Sequence, residues 1–258
     1  MTLVFAGAPA RAGSTNEVLT RAADVLSLTA AQAKQRISIS ITGIVTVAET
    51  TPNWKGKFFV QDATGGIFVN NKDSRQPSVG DLVTVTGATH AGGYAPDLIQ
   101  PRWKIIGTAP LPPAKVISAE QLMSGAEDGQ RVEVSGIVRS VQRGDTRLIL
   151  ELASGGYRFH VFAPGSLEAD PNNLIGATVR VRGTSAVSFN APLRHMLAVA
   201  MFVPLASDFI VDHLPDPAIF NEPFMPLDGI AQYRKDATPD GRIRVKGVVT
   251  YQRPGEDI

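Results

Sequence analysis

The chain of 258 residues is 43% hydrophobic and 19% charged, with 24 Gly, 18 Pro, no Cys and a formal charge of +1. This is a globular composition with length for about two domains. It excludes disulfides, a thiolate nucleophile and Cys-based zinc or iron–sulfur sites, and 25 basic against 24 acidic side chains argue against a dedicated nucleic-acid binder.

Residues 1–17 read as a disordered start or the remnant of a secretory signal. Met1 to Ala12 (MTLVFAGAPARA) joins a short apolar stretch to the small-x-small pairs Ala8-Pro9-Ala10 and Ala10-Arg11-Ala12, but has no basic n-region. No apolar run approaches the ~20 residues that cross a bilayer. Thr29-Ala30-Ala31-Gln32 is a capping box that opens a short helix. Ile39 to Val45 then alternates apolar and polar residues up to Gly43, the pattern of a half-buried strand bent at a glycine. Phe58 to Val69 holds two β-rich runs around Thr64-Gly65-Gly66, a hairpin in which Asp62 is expected to cap its own turn. Gly80 to Gly87 and Arg102 to Ile106 supply a fourth and a fifth strand, and Pro110 to Pro113 is a semi-rigid joint.

The pattern then repeats. Ser118-Ala119-Glu120-Gln121 offers a second capping box, Val132 to Val138 a second opening strand, Leu148 to Phe159 a second hairpin with Leu152 aligned to Asp62, Gly176 to Gly183 a fourth strand and Met196 to Val203 a fifth. After Pro215 to Pro226 and a weaker helix at Leu227 to Tyr233, Ile243 to Val249 repeats the opening strand once more. Its glycine, Gly247, follows Gly136 by 111 residues, as Gly136 follows Gly43 by 93.

Five short strands bent by glycines are what a small closed Greek-key barrel requires; a sandwich would want about seven. The expected fold is therefore all-β: tandem five-stranded Greek-key barrels joined by short helices and Pro-rich linkers. Module 1 with its helix spans 18–115, module 2 with its helix spans 116–210, 211–241 is a Pro-rich linker with a short helix, and 242–258 is the first strand of an incomplete third module.

The opening strands, the Phe58 to Ile67 hairpin and the Gly80 to Gly87 strand resemble OB-fold domains. The series from Leu19 through Gly43 and Phe58 to Gly66 resembles, more narrowly, the tandem modules ahead of the membrane segment in some bacterial sensor histidine kinases, and the likeness covers Val18 to Tyr251. It implies a non-catalytic, extracytoplasmic or periplasmic ligand-binding array in two-component signalling, anchored through a segment beyond Ile258 and dimerising through the full-length receptor. Kinase activity would then reside in domains outside these residues.

Chemistry-bearing patterns are sparse. His90, His160, His195 and His213 form no metal-binding spacing, and the acid-rich stretch Asp208 to Asp216 around His213 reads as a linker, so no metal, cofactor or catalytic residue is expected. Nucleotide-cradling glycine motifs and a nucleophile elbow are missing from the sequence. Binding on an OB barrel falls on strands two and three with the loops after strands one and four. The candidate residues there are Trp54, Phe59, Gln61, Phe68, Tyr94, Trp103, Tyr157 and Arg158, with Lys55, His90 and Arg102 nearby. Aromatics beside cations suit base stacking on single-stranded nucleic acid, which is the alternative reading; Phe58, Phe68 and Trp103 would otherwise fill the barrel. A small ligand or a protein is the expected partner.

Overall fold

The structure, a computed structural model, describes residues 18–49, 54–71, 75–167, 170, 173–235 and 242–251. The signal-like start at 1–17 and the stretch 252–258 lie outside the described residues, as does the loop portion 50–53. The chain is all-β in class, with short helices between strands. It divides into two compact units. Unit 1 comprises Met1–Pro113 with Asp128–Arg131 and Phe189–Leu197, and unit 2 comprises Ala114–Glu127, Val132–Ser188 and Ala198–Ile258.

Unit 1 begins with helices α1 (Ala22–Leu26) and α2 (Ala30–Ala33), the second held by the complete Thr29/Gln32 capping box. Strands β1 (Ser38–Ala48), β2 (Lys57–Gln61), β3 (Gly66–Asn70), β4 (Asp81–His90) and β5 (Asp97–Thr108) follow. They close into a barrel in the order β1-β2-β3-β5-β4, with β4 returning to β1 along the register Ser38↔Ala88 to Ile44↔Leu82. The period-two alternation dictates the interior. Ile39, Ile41, Val45, Phe58, Val60, Ile67, Val69, Val83, Val85 and Leu98 form one buried cluster, joined by Val25 of α1. Phe58 is fully buried, which contributes roughly 2–3 kcal/mol. Gly43 sits where a side chain would meet the Gln61 carbonyl oxygen at 2.6 Å, so the motif glycine permits close strand approach. The ladder shift lies two residues further on, between Val45 and Val47.

Unit 2 opens with the short β6 (Lys115–Val116), parallel to β7 (Arg131–Arg143), and repeats the circuit with β7, β8 (Arg147–Ser154), β9 (Tyr157–Pro164), β10 (Thr178–Asn190) and β11 (His195–Phe202). The sheet runs β7-β8-β9-β11-β10, and an additional β10–β7 pairing returns it to its first strand. As β3 does with β5 in unit 1, β9 pairs with β11 in parallel. Leu148, Leu150, Leu152, Phe159, Val161, Val179, Val181 and Met201 are buried. Helix α3 (Ala119–Met123) is capped by Ser118, whose hydroxyl accepts the Gln121 N–H. The reciprocal half of the expected box is replaced, because the Gln121 amide donates to Glu127 instead.

Three expectations change. The segment read as acidic linker contains β12 (Phe209–His213), which extends the second sheet on β10, so module 2 runs past residue 210. Arg180 explains the pairing of its charge: the guanidinium Nε donates to both carboxylate oxygens of Asp212, at 2.9 and 3.0 Å. The helix expected at Leu227 to Tyr233 is only a 3₁₀ turn at Leu227–Gly229. Of the third opening strand only Arg244–Val245 pairs, in parallel with Phe224–Met225, and Val248 and Val249 are exposed. Without the neighbours that cover Val45 or Val138, its apolar face has no core to join.

Candidate ligand-binding face

The first barrel's hairpin and its β1–β2 loop gather three of the aromatic candidates. Alternation along β2 sends Phe58 inward and Phe59 outward, and Phe59 pairs across the ladder with Phe68 of β3. Their ring centroids lie 5.2 Å apart. Trp54, from the β1–β2 loop, joins them at 6.2 Å from Phe59, tilted, and at 6.1 Å from Phe68, edge-on. Such pairs add about 0.5–1.5 kcal/mol beyond the area they bury. Phe59 is covered, whereas Trp54 and Phe68 are half-buried, with exposed Lys55 next to Trp54 in the chain.

Gln76 bridges the described ends of that loop. Its side-chain oxygen accepts the Gly56 N–H at 2.9 Å and its amide donates to the Glu49 carbonyl at 2.8 Å, so one side chain ties both ends of the loop. The hairpin turn owes its shape to Asp62. One carboxylate oxygen accepts from the Thr64 N–H, the Thr64 hydroxyl and the Gly65 N–H; the other accepts the Ala22 N–H at 2.8 Å. Thr64 in turn accepts the Ala23 N–H at 3.1 Å. Helix α1 begins at Arg21 without a side-chain cap of its own, so the hairpin supplies it. The expected self-capping of Asp62 is there, and the helix cap is a second task that the sequence did not reveal.

The other candidates spread out. Gln61 faces away from the core, and its side-chain oxygen accepts the Arg131 N–H at 2.9 Å. Tyr94 lies on the β4–β5 loop, half-buried, with its carbonyl accepting from Arg194 at 2.7 Å. His90 and Asp97 close the base of that loop, 2.8 Å apart. Burial raises the Asp97 carboxyl above the usual carboxylate range, against the pull of His90 and Arg194. Trp103 points the opposite way from the outward trio: its ring packs edge-on against Phe58 at 6.0 Å and belongs to the core. Arg102 beside it is exposed.

Unit 2 places Tyr157 and Arg158 at the start of β9. Tyr157 is 40% exposed and borders a shallow groove of about 340 Å³ with Ile117, Glu120, Ser135 and Ser154. Arg158 pairs with Glu151 at 2.8 Å. Sequence alignment matches Phe68 with Arg158, but the register of this hairpin pairs Ile149, the counterpart of Phe59, with Phe162. Phe162 stacks on Phe202 at 4.9 Å with an interplanar angle of 18°. The aromatic that stands opposite the counterpart of Phe59 is thus Phe162, which sequence reasoning missed. Leu152 in place of Asp62 was the available signal, because an apolar residue there lets the strand continue.

Among the described residues no three His, Asp or Glu side chains gather as a metal site would need, and no helix is long and apolar enough to cross a membrane. Asp212 of the acid-rich stretch is held low by its hydrogen bond and charge pairing with Arg180.

No family model matches the chain, and no curated protein matches it. Among solved structures it is similar to an aspartyl-tRNA synthetase from Entamoeba histolytica (15% identity, 40% of this chain, 22% of that one, TM-score 0.31). It is also similar to a putative aspartyl-tRNA synthetase from Leishmania major Friedlin (10% identity, 44% and 23%, TM-score 0.31). A third is an OBody bound to hen egg-white lysozyme (17% identity, 40% and 98%, TM-score 0.29). The chain spans less than a quarter of the two synthetase chains. Scores this low carry no argument about function.

Proposed function

We propose that the chain is a tandem array of OB-fold modules that binds a ligand on the outer face of its first barrel and serves as the extracytoplasmic sensory part of a histidine-kinase-type receptor. The observation that carries the binding reading is the Trp54–Phe59–Phe68 cluster. Three aromatic rings stand together on the β2–β3 hairpin and the β1–β2 loop, two of them half-open to solvent. Fixed aromatic surface of this kind binds with little loss of side-chain freedom. The sensory role is supported by the sequence resemblance and by the repeat of modules in one chain.

Arrayed glycans and peptides test the reading. A binder should be found whose affinity falls at least about tenfold in Trp54→Ala and in Phe68→Ala while both variants keep the wild-type circular dichroism. Equal binding by both variants would overturn the assignment of this face. The receptor reading further requires a membrane segment and kinase domains encoded after Ile258; a stop codon directly after it would contradict that part.

Single-stranded nucleic acid is the second reading, favoured by the same rings next to exposed Lys55. Against it stands the formal charge of +1. An oligothymidylate titration decides: binding that weakens steeply with salt supports it, and no binding even at about 50 mM salt removes it.

A further inference from the structure

The formal charge of +1 conceals an uneven division. Unit 1 holds twelve Lys and Arg against eight Asp and Glu, and unit 2 thirteen against sixteen. Each excess is also local in the chain. No carboxylate stands between Asp97 and Glu120, a span that takes in most of β5, and no Lys or Arg stands between Arg194 and Arg234.

The basic stretch lies on an open strand. β5 meets β3 only at Leu98, so from Ile99 to Thr108 its strand partner is β4 alone. Arg102 and Lys104 stand across the ladder from Thr86 and Thr84, which β1 meets in turn with Ser40 and Thr42. These neighbours carry hydroxyls and no acid, so the sheet does not neutralise the two cations, and both are exposed. Ile105 and Ile106 follow at 45% and 51% exposure. A lysine is a usual guard on a sheet edge; two bare isoleucines beside it are not, and mark a surface that something covers.

The acidic stretch supplies the complement. Residues 214–228 follow β12, are exposed over most of their length and carry Asp216, Glu222 and Asp228. Leu214 and Leu227 are exposed as well. Four prolines each remove a backbone donor, and only Phe224–Met225 finds a strand partner, Arg244–Val245, with the Arg244 guanidinium lying over the Phe224 ring. We infer that the two surfaces meet between copies of this chain: the 214–228 segment of one molecule docks on the open β5 edge of the next. Glu222 and Asp228 then face Arg102 and Lys104, and Leu214 and Leu227 cover Ile105 and Ile106. Because the contact joins two different patches, it is head-to-tail and builds rings or filaments rather than a two-fold pair. It does not depend on what the aromatic face binds, since it uses none of those residues.

Sedimentation velocity of the whole chain is the test. At about 50 mM salt the sedimentation coefficient should rise between about 10 μM and about 500 μM protein, and the rise should be lost at about 500 mM salt, where the charges are screened. Arg102→Glu with Lys104→Glu, and separately Glu222→Lys with Asp228→Lys, should each stay monomeric at low salt while keeping the wild-type circular dichroism. Mixed in equal amounts, the two reversed variants should associate again, because each presents the charge that the other has lost. A variant that had merely lost its fold would not be rescued in this way. A wild-type chain that stays monomeric throughout would overturn the inference and leave the β5 edge to a partner of another kind. So would association that survives either charge reversal, or reversed variants that remain monomeric when mixed.

Discussion

The two hairpins carry nearly the same turn, Thr64-Gly65-Gly66 in the first barrel and Ser154-Gly155-Gly156 in the second, and fold it differently. In the first, β2 stops at Gln61 and β3 starts at Gly66, with Asp62 organising the four residues between. In the second, the strands run on to Ser154 and Tyr157, and only Gly155 and Gly156 turn, at φ of +57° and +84°. Positive φ at both central residues is the tight hairpin that glycine favours. Neither Gly65 nor Gly66 has positive φ. At Gly66 a side chain would instead collide with the Gly129 carbonyl. One pair of glycines is thus there for its backbone freedom and the other for close approach.

The helices explain why the turns diverged. Helix α1 has no capping side chain at Arg21 and takes its cap from Asp62 and Thr64, whereas α3 is capped by its own Ser118. A hairpin relieved of that task can place Leu152 in the core, and its strands are eight residues long against five in the first. The consequence reaches the binding face. The longer register brings Phe162, not Arg158, opposite Ile149, where it stacks on Phe202.

Substitutions that try to interconvert the two turns should rank accordingly. Leu152→Asp would bury a carboxylate in a core position without recreating the first turn, at a cost of more than about 4 kcal/mol. Both tryptophans, Trp54 and Trp103, lie in unit 1, so their fluorescence transition should survive in this variant while circular dichroism loses the second barrel. Gly66→Ala should cost about 3 kcal/mol in chemical denaturation, because a backbone oxygen must give way. Asp62→Ala should cost roughly 2 kcal/mol and fray α1, read as faster exchange of the Ala22 and Ala23 amides. Gly155→Ala meets no atom within 4 Å and should cost only about 1 kcal/mol for its positive φ. Gly155→Asn, which tolerates that conformation, should be nearly neutral. A large loss in the last two would break the distinction between the turns.

Much of this was legible in the residues. Period-two alternation placed both barrels' strands and put Phe59 on the binding face, whereas Phe68, like Phe58 and Trp103, could equally have filled the barrel. Trp54 joined Phe59 and Phe68 through a loop tie by Gln76 that no local pattern announces. Trp103 was ambiguous in sequence, because β5 is long and irregular; its ladder with β4 shifts register twice, and only the fold shows its ring turned onto Phe58. The β12 strand was hidden because its acids look like linker until Arg180 is placed beside Asp212. The shifted register of the second hairpin was hidden for a similar reason: alignment by Gly-Gly assumes that the turns are alike.

The central claim is that the first barrel binds through its outward aromatic face. Its most direct test follows the two indole N–H resonances, Trp54 on that face and Trp103 on the core, during titration with the binder found on the arrays. A shift of Trp54 together with Phe68 and Tyr94, and a still Trp103, is the result predicted. A still Trp54, with the shifts gathered instead around Tyr157 in the second unit, would contradict it.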